Sequence, residues 1–167
     1  MQAMIRATSI TSSFDSSAGR ITLDEQSRHR RRLMLKSDNG IEFLLDLPQT
    51  RLLRHGDGLA LDDGRIIEVV AAPEPLLEVR GRDARHLLAL AWQIGNRHLA
   101  AQIEADRILI RRDSVIREML EGLGATIKEI EAPFDPEGGA YGDAHAARHH
   151  HDGHDHHAQH HHRHEHD

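Results

Sequence analysis

The C-terminal end of the chain carries the residues whose chemistry is easiest to read. Twelve of the 23 residues from His145 to Asp167 are histidine, and no aliphatic side chain larger than alanine lies among them. Imidazoles are mostly unprotonated near neutral pH and can then coordinate a divalent metal. The predicted metal ligands of this tail are His145, His149, His150, His151, His154, His156, His157, His160, His161, His162, His164 and His166.

The residues between these histidines support the same chemistry. Acidic side chains (Asp152, Asp155, Glu165 and Asp167) can accept the second ring N–H of a coordinating histidine, which fixes its tautomer and raises its basicity. The segment contains too little apolar surface to offset the entropy lost on ordering, so residues 144–167 are predicted to be disordered. A purification tag is the alternative origin, but tags are usually unbroken runs of one residue, whereas this tract is long and irregular.

The identity of the metal stays open on these residues alone. The chain contains no cysteine, which excludes thiolate sites for Cu(I), iron–sulfur clusters and structural zinc of the cysteine type. Imidazole suits Ni2+, Zn2+ and Cu2+, and intrinsic affinity rises from nickel to copper. The sequence therefore predicts a borderline divalent transition metal and nothing more specific.

Composition excludes several classes of protein. A net charge of −6 with 3% aromatic residues argues against a nucleic-acid binder, and the basic run Arg28–Arg32 is better explained as a charged surface turn that leads into a strand. No apolar run is long enough to span a membrane, and the N-terminus lacks the apolar core of a signal peptide. The absence of cysteine is compatible with a reducing compartment, so we expect a cytoplasmic protein.

The first part of the chain, residues 1–72, is predicted to form a small all-β domain. Apolar residues alternate with polar ones around residues 21–23 and 33–35, and no long helical period interrupts them. Asp38-Asn39-Gly40 predicts a type I′ hairpin turn, because Asn-Gly tolerates positive φ angles. The two prolines within Ala71–Pro75 predict a stiff connector after this domain.

The second part, residues 76–143, changes period and predicts an α+β domain. Asp83 is a helix cap, Gly95-Asn96 supplies the left-handed residue that ends this helix, and a second helix follows two short strands. The predicted order of elements is β-α-β-β-α-β, which is that of a ferredoxin-like domain. One face of such a sheet is open, and we expect a dimer contact there.

Four histidines lie outside the tail. His29, His55 and His86 are predicted to be solvated surface residues, whereas His98 follows a helix end within a segment otherwise built for packing. A single imidazole is a poor metal site. It becomes a good one when a two-fold axis brings a second copy alongside, as closed symmetric dimers allow.

Two motifs and the tail together carry a family resemblance. Gly95-Asn96-Arg97-His98, the later stretch Pro133–Gly142 (PFDPEGGAYG) and the histidine-rich end resemble the UreE family, the nickel metallochaperones of urease maturation, over essentially the whole chain. The resemblance implies that residues 1–72 are similar to the family's peptide-binding domain and residues 76–143 to its ferredoxin-like metal-binding domain. It also implies that His98 is the histidine that bridges a metal across a homodimer. The implied role is delivery of Ni2+ to the urease apoprotein assembly, together with an accessory GTPase.

The chain departs from this family at one place. Some members carry extra histidines just before the second helix, where this chain has Arg111-Arg112-Asp113-Ser114. We therefore hypothesise that the tail supplies the remaining ligands, including those at His98. The rival functions are general storage of nickel, zinc or copper by the tail, or an interaction module. An enzyme is not expected, because the chain lacks H-E-x-x-H, G-x-x-x-x-G-K-[ST] and a cysteine nucleophile.

Overall fold

The computed structural model describes residues 4–138, so the tail and its twelve histidines lie outside the described range. Within that range the strands form two separate sheets, one from each part of the chain. No helix of residues 4–138 is long and apolar enough to cross a membrane.

The first sheet has six strands in the order β2-β6-β5-β1-β4-β3. Its elements are β1 Arg6–Thr11, β2 Gly19–Leu23, helix α1 Glu25–Arg28, β3 His29–Lys36, β4 Glu42–Leu52, β5 Gly58–Leu61 and β6 Ile66–Ala71. Phe43, Leu45, Leu59 and Ile67 are fully buried in its core. The predicted sheet-rich domain is thus observed, with the addition of α1, which is too short to show a helical period in the sequence.

The β3–β4 hairpin turn differs from the predicted type I′ turn. A type I′ turn needs positive φ at both Asn39 and Gly40, but only Gly40 has it (88°), because His98 is the sole non-glycine residue of positive φ among residues 4–138. The Asn39 side chain is already held by hydrogen bonds from Ser37 Oγ (2.6 Å) and to the carbonyl of Ala18 (2.6 Å). The turn is instead a three-residue loop that ends in a left-handed glycine.

The second sheet has four antiparallel strands in the order β10-β7-β9-β8. The elements of this part are β7 Pro73–Arg80, helix α2 Ala84–Gly95, β8 Ala101–Ile103, β9 Ile108–Arg111, helix α3 Ser114–Gly122 and β10 Thr126–Pro133. Their order along the chain is the predicted β-α-β-β-α-β. The predicted proline connector is wrong, because Pro73 and Pro75 begin β7, where only β10 is its neighbour and a missing N–H is tolerated.

The two faces of the second sheet are covered differently. Helices α2 and α3 pack on one face through Leu90, Ile94 and Leu120. The opposite face, which we expected to be open, buries Phe134 against Leu76 and Leu109. Further along this face Glu78 accepts hydrogen bonds from Arg80 (2.9 Å) and Arg107 (2.8 Å), which lower the pKa of Glu78 to about 2. This face is therefore not a free apolar surface for a second copy.

Two arginines join the two parts of the chain. Arg28 is completely buried and donates to the Leu53 carbonyl (2.9 Å), to the Asp135 carboxylate (3.2 Å) and to the Phe134 carbonyl. Arg54 donates to the same carboxylate at 3.0 Å. The prediction that the whole run Arg28–Arg32 is a surface turn is wrong for Arg28, because its guanidinium finds four oxygen acceptors inside the junction.

Candidate metal centre

Helix α2 carries the segment that presents His98. The Asp83 side chain accepts from the His86 amide at 2.7 Å and so caps the start of the helix. At the other end the Asn96 amide bonds to the Trp92 carbonyl (3.0 Å) and the His98 amide to the Gly95 carbonyl (3.0 Å). The hydrogen bonds that close the end of the helix thus reach the backbone of His98.

His98 itself has a left-handed backbone, with φ at +56°. We predicted that Gly95-Asn96 would supply this conformation, but Gly95 is helical and Asn96 has φ at −63°. For a non-glycine residue this conformation costs roughly 1–2 kcal/mol, and such residues cluster at functional sites. The bend turns the chain back toward β8 and leaves the imidazole exposed.

An apolar groove lies beside His98. It has a volume of about 180 Å³ and is lined by Ala91, Ile94, Gly95, Leu99, Ala101, Ile103, Ile108 and Glu137.

On α2, Leu88 and Trp92 are 72% and 69% exposed and lie one helical turn apart. By spacing alone, Leu88 falls on the same side of α2 as Leu87 and Ala91, which pack against the core, but Leu88 is exposed. We name Leu88 and Trp92 the α2 apolar surface.

The described part of the chain gives His98 no ligand set of its own. Among residues 4–138, no group of three or more histidine, cysteine, aspartate or glutamate side chains is arranged to hold a metal ion. A metal at His98 would therefore need ligands from a second copy or from residues beyond the described range.

The other three histidines have different surroundings. His86 accepts from the Arg82 amide at Nδ1 (3.0 Å), and its Nε2 lies 2.9 Å from the Leu123 carbonyl, so both ring nitrogens are engaged. His55 accepts from the Ala71 amide at 3.2 Å. His29 is exposed at the start of β3. His55 and His86 are therefore structural residues rather than merely solvated ones, and their hydrogen bonds compete with metal coordination.

The positions before α3 also have structural roles. Arg111 pairs with Glu25, and its guanidinium lies 5.4 Å from the ring centre of Phe134. Arg112 donates to the carbonyl of Ile130 at 3.1 Å, and Asp113 caps α3 by accepting from the Ile116 amide at 2.9 Å. These residues hold strands and helix together, at the place where the chain departs from the pattern that the resemblance implies.

Glu137 is a residue near the site that the sequence did not single out. Its amide donates to the Ala101 carbonyl (2.8 Å), and its carboxylate accepts from the Ile103 amide (3.3 Å). These bonds fix the end of the described chain against β8, at the groove beside His98. The only sequence signal was its place within the Pro133–Gly142 motif.

Comparison with known proteins finds matches to both parts of the chain. Residues 7–72 match the family described as UreE urease accessory protein, N-terminal domain, and residues 74–166 match the corresponding C-terminal domain. The chain is 71% identical over 152 residues to a protein named urease accessory protein UreE from Chelativorans sp. (strain BNC1), covering 90% of this chain and 96% of that protein.

Two further proteins of the same name show 57% identity. The one from Rhodopseudomonas palustris (strain HaA2) aligns over 145 residues, which is 85% of this chain and 67% of that protein. The one from Bradyrhizobium sp. (strain ORS 278) aligns over 141 residues, with 83% and 67% covered. These matches span both sheets, and this chain belongs to the UreE family of urease accessory proteins.

Proposed function

We propose that this protein is a nickel metallochaperone. It binds Ni2+ through imidazoles and delivers the ion to apo-urease while the urease metallocentre is assembled, and it catalyses no reaction itself. The observation that carries the proposal is His98, which is exposed on a strained backbone yet lacks companion ligands within residues 4–138. Membership of a family of urease accessory proteins supports the same role.

The metal at His98 is held between two copies of the chain. The α2 apolar surface supports this homodimer, because Leu88 and Trp92 are large side chains left mostly in water on the helix that precedes the histidine. Burying a side chain of this kind stabilises by roughly 1.5–3 kcal/mol. A two-fold axis at this end of α2 would bring two imidazoles together, and the contact lies on the helices rather than on the opposite face of the sheet.

The tail adds further ligands. His145 lies eight residues beyond Glu137, so an extended chain reaches at most about 29 Å from the groove beside His98. The tail histidines can therefore both concentrate metal and complete the coordination at His98. In this proposal residues 1–72 bind partners, residues 76–143 bind metal and dimerise, and residues 144–167 form the metal-binding tail.

The partners follow from the family role. The apo-urease assembly receives the metal, and an accessory GTPase takes part in the delivery. Both are partners in the cytoplasm, and the proposal involves neither nucleic acid nor a membrane. Ni2+ is the proposed cargo, and Zn2+ or Cu2+ would compete for the same imidazoles.

A metal-storage protein is the second candidate, favoured by the twelve histidines of the tail. Storage requires the tail and not His98, whereas delivery requires His98. Nickel titration by calorimetry should compare the full chain with a chain ending at Ala144, each with and without His98→Ala. Urease activation in a strain lacking the protein provides the functional readout.

We expect the shortened chain to keep one tight site per dimer and His98→Ala to remove it. His86→Ala, which alters a histidine held by two hydrogen bonds, is the matched control and should keep the site. A tight site that survives His98→Ala in the shortened chain would refute the assignment. Full urease activation by the His98→Ala protein would favour storage instead.

A further inference from the structure

The basic run near the start of β3 is not explained by metal delivery. Arg28 is buried in the junction, but Arg30, Arg31 and Arg32 are exposed on β3, which is an edge strand. Arg51 on β4 lies directly opposite Arg30 and is also exposed. We name Arg30, Arg31, Arg32 and Arg51 the arginine surface.

The positive charges of this surface are poorly compensated. Like charges directly opposite each other on neighbouring strands repel, as Arg30 and Arg51 do. Within residues 4–138, neither they nor Arg31 form an ion pair. Arg32 has one long ion pair, with Asp46 at 3.9 Å, and this carboxylate also pairs with Arg6 at 3.1 Å. The whole chain nevertheless has more acidic than basic residues, with a net charge of −6. Such a surface suits an anionic occupant.

The strand pairing is irregular at the same place. Arg30 pairs with Arg51 and Arg32 with Asp46, so residues 47–50 of β4 lie opposite Arg31 alone. Irregular edges with charged side chains have two known uses, which are binding and protection against edge-to-edge aggregation. The experiment below separates them.

The chain itself supplies an anionic segment close by. The described chain ends at Gly138, where a side chain would lie 3.7 Å from the Arg54 guanidinium. Arg54 is three residues from Arg51, at most about 11 Å along the backbone. Residues 139–167 contain five carboxylates and two arginines, a formal charge of −3 with the histidines neutral. Asp143, only five residues past Gly138, can span about 17 Å.

We propose that the carboxylates of residues 139–167 dock on the arginine surface while the chain is free of metal, and that metal loading weakens this docking. A tethered segment has an effective concentration in the millimolar range, so weak ion pairs suffice to hold it. Each divalent ion adds two positive charges, and two ions change the tail from −3 to +1. This release rests on the proposed binding of metal by the tail histidines, whereas the docking does not.

A spin label tests the docking directly. The chain contains no cysteine, so Ala158→Cys gives a unique position for a nitroxide within residues 139–167. In the metal-free full chain we expect the label to broaden the NMR signals of the Leu33 and Met34 amides several-fold more than those of β10. This broadening should disappear at 1 M NaCl, where the Debye length is only ~3 Å.

Charge reversal localises the effect. Arg30→Glu with Arg51→Glu should abolish the broadening, whereas Arg82→Glu with Arg85→Glu should retain it. This control changes the net charge equally at two exposed arginines that form no ion pair within residues 4–138. Equal broadening in the two double variants would overturn the docking. If the Arg30→Glu, Arg51→Glu variant keeps the broadening and self-associates in sedimentation, the arginine surface protects the sheet edge from aggregation. That result would also overturn the docking.

Zinc tests the release, because it binds imidazole and is diamagnetic. Calorimetry on the same labelled sample counts the ions bound by the tail as the broadening is followed. Loading two or more ions should reduce the broadening to the level of the Arg30→Glu, Arg51→Glu variant. If the tail binds zinc and the broadening does not change, metal does not release the tail from the arginine surface. The proposed function would not be affected by that result. A tail that binds no zinc would overturn the release and the tail's proposed role together, while the metal-free data still decide the docking.

Discussion

The left-handed backbone of His98 predicts that replacing this residue by glycine has opposite effects on the stability of the metal-free fold and on metal binding. In the chain ending at Ala144, His98→Gly removes the left-handed strain, about 1–2 kcal/mol, but adds conformational freedom to the unfolded chain, about 0.5–1 kcal/mol. We therefore expect the metal-free glycine variant to be more stable than His98→Ala, by about 0–1.5 kcal/mol. Alanine keeps the strain and is the matched control, since both variants lack the imidazole.

With nickel bound, the unsubstituted shortened chain should be more stable than either variant. A ligand present at 100 times its Kd stabilises the folded state by about 2.7 kcal/mol. Nickel should therefore stabilise the unsubstituted shortened chain by roughly this amount, and neither variant. Urea unfolding followed by circular dichroism, with nickel and with a chelator, measures both effects.

Two results would refute the reasoning. If the alanine variant is more stable than the glycine variant without metal, His98 does not have the left-handed conformation. If nickel stabilises the glycine variant as much as the unsubstituted chain, the tight site lies at another residue.

Three further predictions concern the rest of the molecule. Arg28→Met should destabilise by about 1–3 kcal/mol in urea, because it leaves the buried carbonyls of Leu53 and Phe134 without their donor, while Asp135 keeps its ion pair with Arg54. Glu78→Gln should destabilise the protein more at pH 7 than at pH 3. The pKa of Glu78 is lowered from 4.5 to about 2, so the stabilisation that its charge provides is complete above about pH 4.5 and is lost as the pH falls through 2. Thermal unfolding measured across this pH range checks the sign. Trp92→Glu should dissociate the homodimer in sedimentation, whereas Met34→Glu, exposed on the other sheet, should leave it intact.

The order of strands and helices could be predicted from the sequence, because period-two and period-3.6 patterns of apolar residues are local properties of the chain. The same patterns did not reveal α1, whose four residues complete barely one turn. They also misplaced the prolines at residues 73–75, because only the pairing of β7 shows that one side of the strand has no neighbour there. At the hairpin turn, the Asn39 side chain donates a hydrogen bond to the carbonyl of Ala18, which is distant in sequence, and a local rule for the turn type cannot include this bond.

The candidate site was readable in part. His98 was singled out by the motif that contains it, but its strain depends on where the last hydrogen bonds of α2 fall. Leu88 fits a buried helical face equally well by spacing, and only the position of the sheet decides that it is exposed. Arg28 reads as one member of a basic run, and its burial follows from contacts more than 100 residues away.

The pairing of Pro73 with Pro133 has a mechanical consequence. The second sheet begins and ends at these paired residues, and Arg28 of the first part bonds to Phe134 and Asp135 just beyond them. From there the chain returns to β8 through the hydrogen bonds of Glu137, so the tail starts on the part that carries His98 and not on the first sheet. Loss of the Arg28 contacts would therefore loosen the same segment that holds the start of the tail near His98.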